Sequence, residues 1–392
     1  MKKNILFVVD EREMGGVSVV LNDLVHTLDS HKYNIDILVL HNKGNMLNDL
    51  PDHVDIFYGT PYFEAIDYTI SEVIKMKKFS LLMKKVRIVF DLKTGFIKQS
   101  IQRERKKLIH KQYDVEVAFK DGFTALFVGY GNCMNKIHWL HCSYKTFNPN
   151  AKYENLFKKV LPLFDHIVGV SVNVVKEFNE IYHLEKITET IPVVMDVERI
   201  KKLSQESSVF SVNEDKLNIV LIGRCHPVKG YDRLFDVIMR LKDENMLGNA
   251  HFTIFGDGPL FTHLKERISN EKLNGVISMK GAISNPYAEL KCYSLLLLPS
   301  FSEAFGTVIS EAFILDIPVL ATETSASLMS VKKGVNGEIC ENSDEGLYQS
   351  LKQLIQHPNA IDQWKNNLKN FNYDNSKILK RIETIFDEGE KI

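Results

Sequence analysis

The stretch LLLLPSFSEAFGTVISEA, residues 295–312, joins an unbroken apolar run to a polar loop and then to a helix. The run at 295–298 shows no polar alternation, which is typical of a strand buried on both faces of a parallel sheet. Parallel sheets are built from strand–helix–strand units, and ligands bind them just beyond the carboxyl ends of the strands. This stretch therefore predicts an α/β fold with a ligand site in the loop after residue 298.

Short apolar runs alternate with amphipathic stretches in the same way along the whole chain of 392 residues. Strand–helix alternation of this length favours two parallel-sheet domains over one. We therefore expect α/β architecture in which two doubly wound, Rossmann-like domains face each other across a cleft. Strands are expected at 4–9, 33–40, 54–57, 113–119, 136–140 and 166–170, and then at 217–222, 251–255, 276–280, 294–298 and 318–321.

The domain boundary is expected in the polar region between Asp196 and Lys216. The expected domains are residues 1–198 and residues 199–375. The last segment, 376–392, reads as a helix that packs back on the first domain. Ser171 is expected to cap a helix that carries an apolar stripe along one side.

Composition excludes several classes of protein. Hydrophobic residues make up 44% and charged residues 25%, and the formal net charge is -1, so nothing attracts the whole chain to nucleic acid. The five cysteines include no CxxC pair, which argues against a disulfide framework or structural zinc. The first apolar run is too short for a signal peptide, and no run approaches the roughly 18 residues of a membrane helix. We expect a cytoplasmic protein, soluble or peripheral on the inner face of the membrane.

A basic segment at residues 75–111 departs from this neutral average. Only Asp91 and Glu104 oppose its thirteen basic residues, which are Lys75, Lys77, Lys78, Lys84, Lys85, Arg87, Lys93, Lys98, Arg103, Arg105, Lys106, Lys107 and Lys111. With apolar residues interleaved, this surface fits an anionic membrane, at about 1 kcal/mol per basic residue. The alternative is a solvated helical excursion over the first sheet. Nucleic acid is not expected as a partner, since no binding motif accompanies the charge.

The loop after residue 298 carries two carboxylates eight positions apart. Glu303 precedes the helix that begins near Gly306, and Glu311 lies inside it. Each carboxylate can accept hydrogen bonds from the vicinal hydroxyls of a sugar or a ribose. The free N–H groups of the helix start suit a diphosphate between them. An ordinary helix with a surface Glu is the alternative.

A second charged loop, GRCHPVKG at 223–230, follows the expected strand at 217–222. Arg224 supplies a bidentate fork and Lys229 a compact charge, and both are suited to a diphosphate. Fixed cations there would stabilise the charge that builds on a leaving diphosphate. Two solvated basic residues are the alternative.

Weaker signals follow other strands. Gly15 and Gly16 come after the first strand, where glycines allow close approach of a phosphate, although such a pair is usually only a turn. His141 follows the strand at 136–140, where it can reach into the cleft between the domains, and it is expected to face away from His138. A structural histidine is the alternative. No spacing suggests a metal site, and Gly256-Asp257-Gly258 reads as a tight turn.

These motifs resemble the retaining glycosyltransferases of family 4, of the bacterial polysaccharide and glycoconjugate type, which have the GT-B fold. SEAFGTVISEA matches the E-x7-E motif of that family, and GRCHPVKGYDRL is similar to its GR…KG…L segment. FGDGP, LLLLPS and DIPVLAT also fall in family order. One departure is PVVMD at 192–196, which lacks the Asn that family members often carry before the Asp.

The resemblance implies that residues 1–198 bind the acceptor and residues 199–375 bind the nucleotide sugar. It also implies a catalytic set and a donor-binding set. The catalytic set, which would contact the transferred sugar or the leaving diphosphate, is Arg224, Lys229, Glu303 and His141. The donor-binding set, which would contact the rest of the donor largely through backbone, is Gly15, Gly16, Gly223, Ile283, Phe305, Gly306, Thr307 and Glu311. Within that set, Glu311 would hold the ribose and the backbone near Ile283 would contact the base.

The implied function is transfer of a sugar, with retention, from a nucleotide diphosphate donor, expected to be a UDP-sugar. The expected acceptor is a glycan or lipid-linked glycan in cell-surface polysaccharide biosynthesis. No metal or other cofactor is expected, because no DxD motif is placed to hold a metal across the diphosphate. Two alternatives stay open. One is a nucleotide-sugar epimerase or hydrolase of the same fold, and the other is a non-catalytic sugar-binding or partner-binding protein.

Overall fold

The computed structural model describes residues 2–10, 16–41, 50–66, 68–145, 148 and 150–388. The chain divides into two compact units, Met1–Val194 with Asn375–Ile392, and Met195–Asp374. Each unit contains one parallel β-sheet with helices connecting its strands, so the predicted α/β class with two doubly wound sheets is confirmed.

The first unit holds a seven-stranded sheet within the described residues, in the order β3-β2-β1-β4-β5-β6-β7, with all neighbours parallel. Its strands are β1 (Lys3–Val9), β2 (Tyr33–Val39), β3 (Val54–Tyr58), β4 (Val115–Ala118), β5 (Asn135–Leu140), β6 (His166–Gly169) and β7 (Thr188–Thr190). Its helices, numbered along the whole chain, are α1 (Gly16–Thr27), α2 (Pro61–Glu64), α3 (Ile70–Lys75), α4 (Phe79–Thr94), α5 (Ile97–Leu108), α6 (Phe123–Gly129), α7 (Glu154–Val160), α8 (Val172–Tyr182) and α17 (Ser376–Asp387).

The second unit holds a six-stranded sheet over its described residues, in the order β10-β9-β8-β11-β12-β13, again with parallel neighbours. Its strands are β8 (Leu217–Ile222), β9 (Ala250–Phe255), β10 (Ile277–Gly281), β11 (Leu295–Leu298), β12 (Val319–Thr322) and β13 (Gly337–Cys340). Its helices are α9 (Val197–Ser204), α10 (Tyr231–Asp243), α11 (Phe261–Asn270), α12 (Pro286–Leu290), α13 (Thr307–Ile314), α14 (Ser325–Ser330), α15 (Asp344–Gln356) and α16 (Asn359–Leu368).

Strand β11 is buried on both faces, as its unbroken apolar run predicts. Leu295 and Leu297 pack into the apolar cluster on one face of the sheet, and Leu296 and Leu298 pack into the cluster on the other. All four side chains are at most 5% exposed. Residues 299–306 follow this strand directly, so the polar loop lies at its carboxyl end.

Two strands are absent from the sequence-based expectations. β7 (TET) and β13 (GEIC) are short and carry polar residues, so no apolar run marks them. Each lies at the end of its sheet, where one side has no neighbouring strand from the described residues. At Gly337 an added Cβ would lie 2.1 Å from the carbonyl oxygen of Val319, so the glycine is needed for β13 to pair with β12.

Helix α17 belongs to the first unit. The ring of Phe386 packs edge-on against Tyr33, with 5.7 Å between the ring centroids, and Asn135 Nδ2 donates to the Ile385 carbonyl at 2.7 Å. Arg381 forms a two-pronged ion pair with Glu189, at 2.6 and 2.7 Å. The end of the chain therefore returns to the sheet from which it started.

The dividing point between the units falls just ahead of the predicted boundary, because α9 packs within the second unit. Asp196 caps α9 by accepting from the Arg199 N–H at 3.0 Å, and Asn285 donates to the Leu203 carbonyl at 2.9 Å. In the first unit, Ser171 caps α8 by accepting from the Val174 N–H, so that predicted cap is confirmed.

No helix among the described residues has both the length and the apolar character needed to cross a membrane. The basic segment at 75–111 contains the last residue of α3, the whole of α4 and α5, and the turns around them. Much of it is exposed, but Arg105 is a correction to the predicted basic surface. Its guanidinium is buried, lies 2.7 Å from Glu116 Oε1 and donates to the Phe127 carbonyl at 2.8 Å. It therefore contributes to folding and offers no charge to a membrane.

Replacing Arg105 by Met is expected to destabilise the first unit by about 3–5 kcal/mol, because Glu116 would be left as an unpaired buried charge. Denaturant titration followed by circular dichroism measures the loss. Lys106→Met, at the adjacent exposed position, is the control and should cost less than about 0.5 kcal/mol. The double variant Arg105→Met/Glu116→Met should recover much of the stability. Equal losses of stability in Arg105→Met and Lys106→Met would contradict the assignment.

Candidate functional site

The candidate site of the second unit lies between β8 and β11, where the order of the strands in the sheet reverses. β8 and β11 are adjacent and parallel, with Leu295 opposite Ile219. From β8 the chain continues outward to β9 and β10, whereas from β11 it continues the opposite way to β12 and β13. The loops that leave two such strands diverge and open a crevice at their carboxyl ends. The two charged loops predicted from sequence are these two loops.

The loop after β8 passes through a 3-10 turn, Pro227–Lys229, before α10 begins. His226 caps this turn, since its Nδ1 accepts from the Val228 N–H at 3.3 Å. Gly230 follows in the left-handed conformation, at φ +68°, and an added Cβ would lie 2.0 Å from the Pro299 carbonyl oxygen. A side chain at position 230 would therefore separate this loop from the loop after β11.

The structure brings Lys229 and Glu303 together. Lys229 Nζ lies 2.6 Å from Glu303 Oε1, and the Ser300 hydroxyl donates to the same oxygen at 2.8 Å. Their side chains are 23% and 11% exposed, so the ion pair is shielded but reachable from solvent. A cation suited to a phosphate and a carboxylate suited to sugar hydroxyls are thus side by side.

Arg224 is exposed and makes no ion pair with any residue that the structure describes. The backbone on either side of Arg224 packs against the loop after β9. The Cys225 N–H donates to the Asp257 carbonyl at 2.8 Å, and an added Cβ on Gly256 would lie 1.9 Å from the Gly223 carbonyl oxygen. The tight-turn interpretation of Gly256-Asp257-Gly258 is therefore incomplete, because these glycines let two loops pack backbone against backbone.

Arg233 positions the loop after β11, and the sequence-based expectations did not include it. Its Nε donates to the Pro299 carbonyl at 2.8 Å and its Nη2 to the Ser300 carbonyl at 3.0 Å, and its guanidinium lies 4.0 Å from the centroid of the Phe301 ring. Burial lowers the pKa of this guanidinium from its ordinary value. The available signal was helical spacing, since Arg233 falls on the apolar side of α10 with Val237.

Helix α13 begins immediately after the loop, as predicted. Gly306 adopts φ +66°, and no side chain of the described residues caps the helix. Its first turn holds no acidic residue, so the N–H groups there suit an anion. Phe305 is buried, Thr307 is half-buried, and Glu311 lies on α13 with 7% exposure. Ile283 lies in the loop after β10, half-buried against the apolar cluster that contains Phe255.

The glycine pair predicted after β1 is only partly described. Gly15 lies outside the described residues. Gly16 begins α1, and an added Cβ there would meet no atom of the described residues within 4 Å. In the first sheet the order of the strands reverses between β1 and β4. There Lys120 Nζ, which follows β4, lies 2.9 Å from Asp10 Oδ1, which follows β1.

The two histidines near the end of β5 have different surroundings, as the alternation of strand side chains predicts. His138 is fully buried, with its Nε2 3.2 Å from Asp121 Oδ1 and its Nδ1 3.3 Å from the Ala118 carbonyl oxygen. His141 instead packs against Phe119, with ring centroids 4.7 Å apart and the ring planes tilted by 53°. The Nε2 of His141 is enclosed and has no hydrogen-bond partner within the described residues.

A buried network holds the segment that follows His141. Tyr144 and Asn150 both donate to Asp121 Oδ1, the same oxygen that contacts His138, and the Asn150 distance is 3.2 Å. Burial alone would raise the pKa of Asp121, but the hydrogen bonds from His138, Tyr144 and Asn150 keep it below its usual value. The ionised carboxylate therefore fixes the loop on which His141 lies.

Burial lowers the pKa of His141 to about 3, so its imidazole is neutral at neutral pH. Since the native pKa is below the unfolded value of about 6.5, protonation favours unfolding. Stability from this group is complete above about pH 6.5 and declines as the pH falls from there toward 3, by up to about 1.4 kcal/mol per pH unit.

This prediction is checked by measuring the unfolding free energy at pH 7 and pH 5 for the wild type and His141→Gln. The variant is expected to lose less stability between the two values. His31→Gln, at an exposed position, controls for the loss of an imidazole. A wild-type and a His141→Gln profile with the same slope would refute the neutral, buried state of His141.

Comparisons with known proteins point the same way as this geometry. Residues 204–371 match the family model described as glycosyl transferases group 1, and this range contains both charged loops. N-acetyl-alpha-D-glucosaminyl L-malate synthase of Bacillus anthracis is 21% identical over 382 residues, which cover 95% of this chain and 94% of that protein.

Two solved structures share the fold over nearly the whole chain. HepE of Anabaena, in complex with UDP and glucose, has a TM-score of 0.72 at 16% identity and covers 98% of this chain and 100% of its own. A variant of S. aureus TarM, in complex with fondaparinux, alpha-GlcNAc-glycerol and UDP, has a TM-score of 0.72 at 15% identity, with coverage of 98% and 100%. The chain therefore has the GT-B fold of these structures, and the match of residues 204–371 to the glycosyl transferases group 1 model supports a glycosyltransferase enzyme.

Proposed function

We propose that this protein transfers a sugar from a UDP-sugar, with retention of anomeric configuration, to a glycan or lipid-linked glycan acceptor in cell-surface polysaccharide biosynthesis. The contact between Lys229 and Glu303, at 2.6 Å on the edge of the second sheet, carries this proposal. In a nucleotide sugar the diphosphate is bonded directly to the sugar, so a phosphate-binding cation and a hydroxyl-binding carboxylate must be neighbours. These two side chains meet that requirement.

The proposed course of the reaction uses fixed charges. The bond between the anomeric carbon and the phosphate oxygen breaks, and Arg224, Lys229 and the start of α13 stabilise the charge that builds on the UDP. Glu303 orients the sugar through its hydroxyls, and Glu311 holds the ribose. The acceptor hydroxyl attacks from the face that the UDP leaves and passes its proton to the departing phosphate, so no separate protein base is required.

The choice of UDP rests on the relatives. Both HepE and TarM were solved in complex with UDP, and the Bacillus anthracis relative is named for an N-acetylglucosaminyl group. A thermal-shift screen of nucleotide sugars should begin with UDP-N-acetylglucosamine and UDP-glucose. A donor at 100 times its dissociation constant adds about 2.7 kcal/mol of stability. Stabilisation by ADP-sugars or GDP-sugars but not by UDP-sugars would contradict the choice of base.

An assay with and without a glycan acceptor tests the reaction itself. We expect the anomeric proton of the product, measured by NMR, to show the configuration of the donor, and we expect EDTA to leave the rate unchanged. Donor consumption without acceptor would instead indicate an epimerase or a hydrolase. Donor binding without any turnover, unaffected by Arg224→Ala, would indicate a binding protein.

His141 is proposed to contact the transferred sugar near the acceptor. Its neutral imidazole and its enclosed Nε2 suit a hydrogen bond to a sugar hydroxyl. His141→Ala is expected to lower kcat by on the order of 100-fold while leaving donor binding in the thermal-shift assay nearly unchanged. A His138→Ala variant serves as the comparison, since it should lose stability first.

A lipid-linked acceptor would lie at a membrane surface, and we propose that the basic segment at 75–111 docks the protein there. The support is its charge, because the two acidic residues of the segment are both buried and paired. Asp91 lies 3.2 Å from Arg87 Nε, and Glu104 lies 2.7 Å from Lys107 Nζ. The charge that the segment presents to solvent is therefore positive.

A further inference from the structure

Helix α4 presents an apolar ridge to solvent. Phe79, Met83, Val86 and Phe90 recur at intervals of three and four residues and therefore lie along one face of the helix. Their side chains are 74%, 54%, 47% and 55% exposed. The opposite side of the helix, with Leu81 and Ile88, is buried in the first unit. A continuous row of large exposed apolar residues is characteristic of a surface that meets a partner or a membrane.

A cavity of about 350 Å³ lies beside this ridge, between α4 and α5. Phe90 belongs to both the ridge and the cavity wall, and Phe96 lines the cavity from the start of α5. The remaining lining residues are polar or charged: Arg87, Asp91, Gln99, Ser100 and Arg103. An apolar ridge and a polar cavity are therefore continuous through one aromatic side chain.

Two guanidinium groups in this cavity retain donors for a ligand. Arg87 uses only its Nε on Asp91, at 3.2 Å, and its Nη groups meet no acceptor from the described residues. Arg103 reaches the Ser100 hydroxyl at 3.5 Å and Glu104 at 3.7 Å, which are weak contacts. Both side chains are about half exposed, at 49% and 48%. Asp91 itself is buried and also accepts from the Tyr62 hydroxyl, so its charge is compensated.

We propose that this cavity binds the phosphate headgroup of an anionic membrane lipid while the α4 ridge enters the bilayer interface. Guanidinium forks match phosphate oxygens, and two of them at one cavity give a site for a single headgroup. Because Phe90 joins the ridge to the cavity, the acyl chains of a bound lipid continue into the layer that the ridge enters. This inference rests on the proposed membrane docking and adds a specific headgroup site to it.

The charge surrounding the ridge selects a bilayer over a second copy of this chain. Lys77 and Lys78 precede α4, and Lys93 lies in its last turn, so the ridge is bordered by cations at both ends. Two such faces brought together would repel each other, whereas an anionic bilayer would attract each of them. Apolar side chains between basic residues are the arrangement that interfacial helices use.

The test compares two variants of equal charge on vesicles of phosphatidylcholine alone and of phosphatidylcholine mixed with phosphatidylglycerol. The cavity variant is Arg87→Gln/Arg103→Gln, and the matched control is Lys93→Gln/Lys106→Gln, which removes two charges from the same segment outside the cavity. Loss of two general charges weakens binding by roughly 30-fold at low salt. The cavity variant is expected to lose at least tenfold more and to lose its preference for phosphatidylglycerol.

Further variants separate the contributions of ridge and cavity. Arg87→Lys keeps a cation beside Asp91 but removes the fork, and it should bind with intermediate affinity. Phe79→Ser/Met83→Ser should weaken the part of vesicle binding that survives high salt, because salt screens charge but not apolar insertion. Donor stabilisation in the thermal-shift assay should be unchanged in all these variants, so a failed vesicle test and a failed transferase assignment are told apart.

Four outcomes would overturn the headgroup site. They are equal losses in the two double variants, equal binding to pure phosphatidylcholine, and stabilisation by inorganic phosphate without any preference for anionic vesicles. The fourth is a wild-type dimer that becomes monomeric in the ridge variant, which would assign the ridge to a second copy of the chain.

Discussion

Lys229→Ala is expected to lower kcat by on the order of 100-fold to 1000-fold, the usual effect of removing one preorganised group that stabilises transition-state charge. Lys229 would meet the leaving diphosphate and already lies 2.6 Å from Glu303, so its loss also removes the partner of the sugar-binding carboxylate. Initial rates with saturating donor measure the effect. Arg224→Ala should act through the diphosphate alone.

Because Lys229 and Glu303 are paired, their substitutions should not act independently on the rate. In a double-mutant cycle, Lys229→Ala and Glu303→Ala should be strongly non-additive, whereas Arg224→Ala and Glu303→Ala should be closer to additive. Lys216→Ala is the control, because Lys216 precedes β8 and so lies at the amino ends of the strands, away from the charged loops at their carboxyl ends. If Lys229→Ala and Lys216→Ala had similar rates, the proposed role of Lys229 would be wrong.

Gly230→Ala is expected to destabilise the second unit by roughly 2–5 kcal/mol and to lower kcat by about 100-fold. Two costs combine at this position. The residue adopts φ +68°, and its new Cβ would lie 2.0 Å from the Pro299 carbonyl oxygen, which is backbone and cannot rotate away. Relief of the clash would move Lys229 away from Glu303. In a unit of this size each kcal/mol lowers Tm by about 2–4 °C.

Gly334→Ala separates the two costs. Gly334 has a similar φ, +71°, but an added Cβ there meets no atom within 4 Å. It precedes β13 and so lies at the amino ends of the strands, whereas the charged loops lie at their carboxyl ends. This control is expected to lose only about 1–2 kcal/mol, the cost of the left-handed conformation, and to keep its activity. Equal behaviour of the two variants would show that the contact between the loops is unimportant.

Much of the fold was predictable because it is encoded in local patterns. The four leucines of β11 predict a doubly buried strand, and Ser171 predicts the start of α8. These features depend on residues a few positions apart, whose burial and hydrogen bonds follow from periodicity and capping. β7 and β13 escaped prediction because an edge strand paired on one side needs no apolar run, and their polar sequences carry no comparable signal.

The site was predictable as two loops but not as one place. Nothing local states that Lys229 contacts Glu303 across 74 positions of sequence. Similarly, Arg233 reads as one more helical arginine until its guanidinium is seen on the Pro299 and Ser300 carbonyls. Arg105 reads as part of a basic surface, yet its burial on Glu116 depends on how α5 packs against β4.

Residue types and their short-range spacing thus sufficed for the α/β class, for the two charged loops and for the basic segment. The order of the strands decided which loops meet, because parallel strands that are distant in sequence become neighbours only through long-range pairing. Helix packing then separated the structural cations from the available ones. A chain specifies such contacts through the free energy of the whole fold, so they cannot be read from any one stretch of it.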